Sequence, residues 1–223
     1  MALIHHTTLT PTKVELLASW LPTRPWYAGG TATPELTKAG GFRLDDPKGE
    51  VGIEFMVVTD TSGPTPVHYL TPLTYRGAPL PDAEHALIGT MEHGVLGKRW
   101  AYDGCHDPVL IAQLLALFEG HSEPQAQSLT DTPDHEITRS YGGDGPLSVA
   151  TPTPTDTPEA TELPIRPGTT LLHLNRVLRP GPLDLPEGAK GHVTGHWSLA
   201  DGTLAKAVFA VLRTGPHGSR EAE

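Results

Sequence analysis

The densest chemistry in the chain is the run Tyr102-Asp103-Gly104-Cys105-His106-Asp107, which sets a thiol, an imidazole and two carboxylates side by side. A cysteine next to a histidine is raw material for nucleophilic catalysis, in which the imidazole takes the thiol proton. Here the two are consecutive, so their side chains diverge, and Asp107 stands where it would cap a helix. The run reads first as a helix-entry corner. Histidine elsewhere gives no better cluster. His5 and His6 are neighbours and would point to opposite faces of a strand. His192 and His196 would share a face, but about 13 Å of strand separates them, too far for one ion. Among the acids, Glu50 and Glu54 fall on one strand face, and Asp82 and Glu84 lie in a loop. Glycoside hydrolysis needs two carboxyls about 5 to 9.5 Å apart across a cleft, and no sequence feature brings either pair to that arrangement.

The aromatic residues offer a binding rather than a catalytic chemistry. Trp20, Trp26, Tyr27, Trp100 and Tyr102 have Arg24, Arg99 and Asp103 beside them in sequence. Rings of this kind stack on the C–H faces of sugars while arginines and carboxylates meet the hydroxyls. The same rings equally well pack a core or a corner. The candidate binding surface is therefore Arg24, Trp26, Tyr27, Arg99, Trp100, Tyr102 and Asp103. No catalytic residue, metal ligand or cofactor-binding residue is assigned.

The elements that would position these residues can be read from pattern. "ALIHHTTL" suits a first strand. A helix comes next in "TPTKVELLASWL", with Thr10 placed to cap it, Pro11 at its first position, and Val14, Leu17 and Trp20/Leu21 on one face. Pro22 and Pro25 end it. "ELTKAGGFRL", "VGIEFMVVTD" and "VHYLTPLTYRG" are strand-like and separated by turns, which predicts an antiparallel sheet wrapped on that helix. Within the second, Ile53, Phe55 and Val57 alternate with Gly52, Glu54 and Met56, as for a strand with one buried face. "DPVLIAQLLALFEG" is the clearest helix, capped by Asp107, with Pro108 in its first turn, closed by Gly120, and carrying an apolar stripe from Val109 to Phe118. Beyond residue 124 the chain is polar and strand-forming, with strands expected in "EITRS", "PLSVAT", "TTLLHLNRVL", "GHVTGHWSLA" and "TLAKAVFAVLRT". The last two flank an Asp-Gly hairpin turn. The Pro/Thr-rich stretch 151–164 favours extended, weakly ordered backbone. The fold class is α+β over residues 1–124, followed by a β-rich region over 125–223, either a small second domain or an extension of the first sheet.

Composition narrows the function classes. The chain has 223 residues, a net charge of −10, a pI near 5.6, 24 Gly and 23 Pro. Such a charge repels nucleic-acid backbones and anionic lipid. Cys105 is the only cysteine, which excludes an intrachain disulfide and a thiolate zinc cluster. The start lacks the pattern of a secretory signal, and no apolar run is long enough to span a bilayer, so the expectation is a cytoplasmic protein.

Three stretches resemble one family. "WLPTRPWYAGG", "YLTPLTYRGAPLPDAEHALIGT" and "RWAYDGCHDPVLIAQLLALF" are similar, in order, to the N-terminal cap of actinobacterial maltokinases. Trp20, Leu21, Pro22, Trp26, Tyr27, Ala28 and Gly29 fit the first motif. Pro25 interrupts its usual Arg–Trp adjacency, and Gly30 replaces its usual Lys. The resemblance implies a cystatin-like cap, a curved antiparallel sheet around a helix. In the family this cap precedes a kinase body that phosphorylates maltose with ATP and Mg²⁺. Such transfer needs a base aspartate and a metal-holding aspartate. "HGVLGKRW" has Val95 where the first would stand, and "LFEG" has Leu117 where the second would stand. No glycine-rich phosphate cradle is found either. The reading is a non-catalytic, cap-like accessory, binding or regulatory protein without a cofactor, placed by the resemblance near α-glucan, maltose or trehalose metabolism. A protein partner or self-association is expected, with a sugar as the candidate small ligand. The rival is a sugar- or α-glucan-acting enzyme or carbohydrate-binding module using Trp26, Tyr27, Arg99 and Asp103.

Overall fold

The computed structural model describes residues 8–128, 132–143, 145–166 and 168–215. His5 and His6, with most of the first strand expected from sequence, lie outside them. The chain begins with β1 (Leu9–Thr10) and α1 (Lys13–Trp20), continued by a 3-10 turn (Leu21–Thr23). Thr12, not Thr10, caps α1. Its hydroxyl accepts from the Glu15 N–H while the Glu15 carboxylate accepts from the Thr12 N–H, a reciprocal box that fixes the start two residues later than expected. Then come β2 (Leu36–Leu44), β3 (Gly52–Asp60) and β4 (Val67–Arg76), paired antiparallel in sequence order. A hairpin of β5 (Leu87–His93) and β6 (Gly97–Asp103) returns alongside β4. Helix α2 (Pro108–Glu119) has Asp107 as its cap and Gly120 in the left-handed conformation at its end, as its sequence signals predict.

The remaining strands are β7 (Gln125–Ala126), β8 (Thr138–Tyr141), β9 (Thr155–Asp156), β10 (Ala160–Ile165), β11 (Thr170–Asn175), β12 (Val177–Leu178), β13 (Ala189–Ser198) and β14 (Leu204–Thr214). Residues 151–164 are not a loose stretch throughout. Buried Thr161 and Leu163 alternate with the more open Glu162 and Pro164 and seat β10 against β11. "PLSVAT" forms no strand and contributes one bridge, Ser148 to Arg166. The Asp-Gly turn between β13 and β14 forms as expected, with Gly202 at φ +82°.

All of these strands join one sheet. β2 meets β13 at a single pair, Gly40 with Trp197. β11 continues into β12 across Arg176, and β12 pairs with β4 through Val177–Tyr69 and Leu178–His68. The ring β4-β3-β2-β13-β14-β11/β12 therefore closes on itself as an antiparallel barrel. β7 and β8 fill the gap where β2 and β13 diverge.

Every strand of the ring contributes to one apolar cluster. Phe42 stacks on Phe55 at 4.5 Å, and Phe209 lies 6.3 Å from Phe42 and 6.4 Å from Trp197. Close packing here demands Gly195, since a Cβ at that position would sit 2.2 Å from the Phe209 ring. α2 delivers Leu110, Leu114 and Phe118 to the same cluster. On the outer face, Met56, Val58, Tyr69 and Leu73 meet Leu17 and Trp20 of α1 and Trp26 beyond it. β3 is thus covered on both faces, which corrects the expectation of one buried face. Met56 and Glu54 are as deeply placed as Phe55. The architecture is mostly antiparallel sheet with two short helices, an α+β arrangement. No helix among the described residues is long and apolar enough to cross a membrane.

Candidate functional site

The seven residues expected to bind do not form a common surface. Trp26 is fully buried, edge-on to Trp20 at 5.6 Å and tilted against Tyr69 at 6.0 Å. Tyr102 and Asp103 are also buried, at 2% and 3% exposure. The Tyr102 hydroxyl accepts from the Leu80 N–H. Tyr27 is half-buried, stacked on Tyr69 at 5.7 Å, with its hydroxyl donating to Asp60. Arg24 lies over the Trp20 ring and donates to the Thr23 hydroxyl. Arg99 donates to the Lys98 carbonyl, and Trp100, under the Lys98 ammonium, packs against the small cluster around Leu80 and Tyr102. Arg24, Tyr27, Arg99 and Trp100 keep partial exposure. The reason is local: Trp26 comes after a 3-10 turn that folds it back under α1, and Asp103 ends a strand whose last three residues run into the core.

Trp26 and Asp103 do share a partner, one that the sequence pattern does not single out. Arg176, at the break between β11 and β12, is 0% exposed. Its Nη2 donates to both Asp103 oxygens at 2.7 and 2.6 Å, and its Nε donates to the Thr161 hydroxyl. Thr161 in turn donates to Asp156, and the guanidinium lies 4.9 Å from the Trp26 ring. Burial alone would pull the guanidinium pKa down; the Asp103 charge and hydrogen bonds, with Asp156 nearby, outweigh it and raise it. This is a lock between the early and late parts of the chain. Nothing in "LNRVL" distinguishes Arg176 from a surface arginine except its position among apolar neighbours.

A second buried charge centre surrounds Glu54. Lys13 and the Tyr75 hydroxyl donate to Oε2, and Gln127 donates to Oε1. Burial pushes this carboxyl up, yet Lys13, the hydrogen bonds and Lys38 together hold it below the usual range. Glu50, its expected strand neighbour, lies in the turn before β3, where its N–H donates to Asp46.

The thiol–imidazole pair separates as its adjacency predicts. Cys105 is fully buried in the main cluster, and burial pushes its thiol far above the usual range, so no thiolate is available near neutral pH. His106 turns the other way, to His85. Its Nδ1 lies 3.1 Å from the His85 Nε2, with the rings edge-on. Both line a cavity of about 410 Å³ with Asp82, Pro108 and the Ala150–Pro154 segment. A second cavity, of about 460 Å³, lies against the late strands, lined by His173, Asn175, Asp184, Leu185, Val208 and Arg213 among others. Beside it, Glu162 accepts from Arg213 Nη2 and pairs with His173 Nδ1, while His173 Nε2 meets the Asn175 side-chain Oδ1.

No curated protein matches the chain. Residues 20–107, from Trp20 to the cap of α2, match the family model of the maltokinase N-terminal cap domain. That segment of the chain is maltokinase cap-like.

Proposed function

We propose that the chain is a cap-like accessory or binding protein that transfers no phosphoryl group by itself. The observation that carries this reading is the architecture of the residues after Asp107. They supply α2 and strands that close a barrel on β2 and β4, so the described residues after Asp107 are built into the same fold as the matched segment. The two runs of the sequence that look most like a kinase's base and metal motifs fall within residues 1–124 and lack the aspartate, with Val95 and Leu117 in its place. By its resemblance, the segment would keep the cystatin-like form of the cap. The protein would serve maltose, α-glucan or trehalose metabolism in the cytoplasm through a protein partner or a second copy of itself. Incubation with Mg²⁺-ATP and maltose, trehalose or glucose, with ADP release as the readout, should give no sugar-dependent signal. A phosphorylated sugar would overturn the reading.

A second reading, a carbohydrate-binding module, has one observation in its favour. It moves from the collapsed Trp26–Asp103 region to the cavity of His173, Asn175, Asp184 and Arg213. Those groups balance donors against acceptors beside the apolar Leu185, Val208 and Val211, a mixture that suits hydroxyls on one side and C–H faces on the other. Calorimetric titration with the same sugars should show saturable binding weakened in Asp184→Ala. Equal heats for both proteins would remove it.

A further inference from the structure

The cavity under the Ala150–Pro154 segment contains a feature that the cap-like reading does not use. His85 comes from a 3-10 turn before β5, and His106 from the turn before α2. The fold brings them together from 21 residues apart, with Nε2 of one 3.1 Å from Nδ1 of the other. Two imidazole nitrogens bound to one ion at metal–nitrogen distances of about 2.0–2.1 Å lie about 2.9 Å apart at a right angle and about 3.4 Å apart at the tetrahedral angle. The observed separation falls inside that window. The rings meet edge-on at 81° with centroids 4.7 Å apart, so the two rings do not stack face to face.

We propose that His85 and His106 form a two-imidazole site for a divalent transition-metal ion of the zinc, nickel and copper class. Imidazole nitrogen favours these ions over magnesium or calcium, which prefer oxygen ligands. Among the described residues no third His, Cys, Asp or Glu completes a ready-made ligand set. The ion would therefore keep open positions towards the cavity, which Asp82 also lines. This makes it an exchangeable site that can carry a small ligand, rather than a closed structural one. The site stands apart from the proposed accessory role, since neither imidazole belongs to the Arg176 lock.

The test is metal titration of the full chain with Zn²⁺ by calorimetry and with Cu²⁺ by electron paramagnetic resonance. The chain carries twelve histidines, so the comparison between variants decides. Wild type should take up one ion in a distinct tight phase, with Cu²⁺ showing coupling to nitrogen. That phase should weaken at least tenfold in His85→Ala and in His106→Gln, and persist in His173→Ala. His85 is exposed, so its variant should fold as wild type by circular dichroism. Should the His85→Ala protein bind as wild type does, or should the phase depend on His173, the proposal is wrong. Absence of the phase in wild type would equally defeat it and leave a plain imidazole–imidazole hydrogen bond.

Discussion

Arg176 and Arg179 are three residues apart, and each holds a carboxylate, but they do different things. Arg176 and Asp103 are 0% and 4% exposed at their side chains, and they join the end of β6 to the seam where the barrel closes. Arg179 and Glu159 are 70% and 56% exposed and tie two neighbouring late segments together on the surface. The cost of taking two charges out of water is offset only by close pairing, and removing one charge strands the other. Here Arg176 bonds through Nε and Nη2, while its buried Nη1 has no hydrogen-bond partner among the described residues. A pair left in water is screened and adds little. Position in the fold, not the chemistry of the pair, makes the first a lock and the second a surface contact of small consequence.

The comparison can be broken at its strongest point. Arg176→Ala should cost about 3–5 kcal/mol, because Asp103 is left charged and buried, read as a loss of the urea midpoint. Replacing both residues, Arg176→Met with Asp103→Leu, should recover part of that loss, since no buried charge is then stranded. Failure of the double variant to improve on Arg176→Ala would mean that packing on Trp26, rather than charge, dominates. Trp26→Ala should also be severe, about 3–5 kcal/mol for a fully buried ring, again read from the urea midpoint. Arg179→Ala sits at the other end, within about 1 kcal/mol and further reduced by salt.

Acid provides a graded version of the same contrast. Glu54, Asp46 and Asp60 have folded values held below their ordinary 4.5, 3.8 and 3.8. Burial opposes this in each case. The Lys13 contact at Glu54 and backbone N–H donors at Asp46 and Asp60 outweigh it. Groups with depressed values stabilise the fold fully above their unfolded pKa and lose that contribution as pH falls through the folded one. Melting temperature should therefore hold from neutral pH down to the ordinary carboxylate range and fall steeply below it. In Glu54→Gln the fall should be shallower. A melting temperature that rises on acidification would contradict the assignment.

Some elements are legible in the sequence because their causes are local. Asp107 and Gly120 bracket α2 by capping chemistry alone, and the Asp-Gly turn joins β13 to β14 without help from the rest of the chain. β10 is hidden because proline and threonine around it mask its short alternation. The β5–β6 hairpin is hidden because its apolar residues are few: Met91 is the buried residue of β5, and in β6 burial begins only at Ala101, Tyr102 and Asp103. The expected binding surface does not form, for a different reason. Trp26, Tyr102 and Asp103 look like a site when grouped by residue type, and only the return of Arg176 from far along the chain shows Trp26 and Asp103 to be interior. Long-range closure leaves no local mark, and the His85–His106 contact is invisible in sequence for the same reason.

The central claim is that the cap-like segment and the late strands form one cooperative unit. Differential scanning calorimetry of the full chain tests it most directly. A single transition, with calorimetric and van't Hoff enthalpies in agreement, is the expected result. Two separable transitions, one of them unaffected by Arg176→Ala, would contradict it.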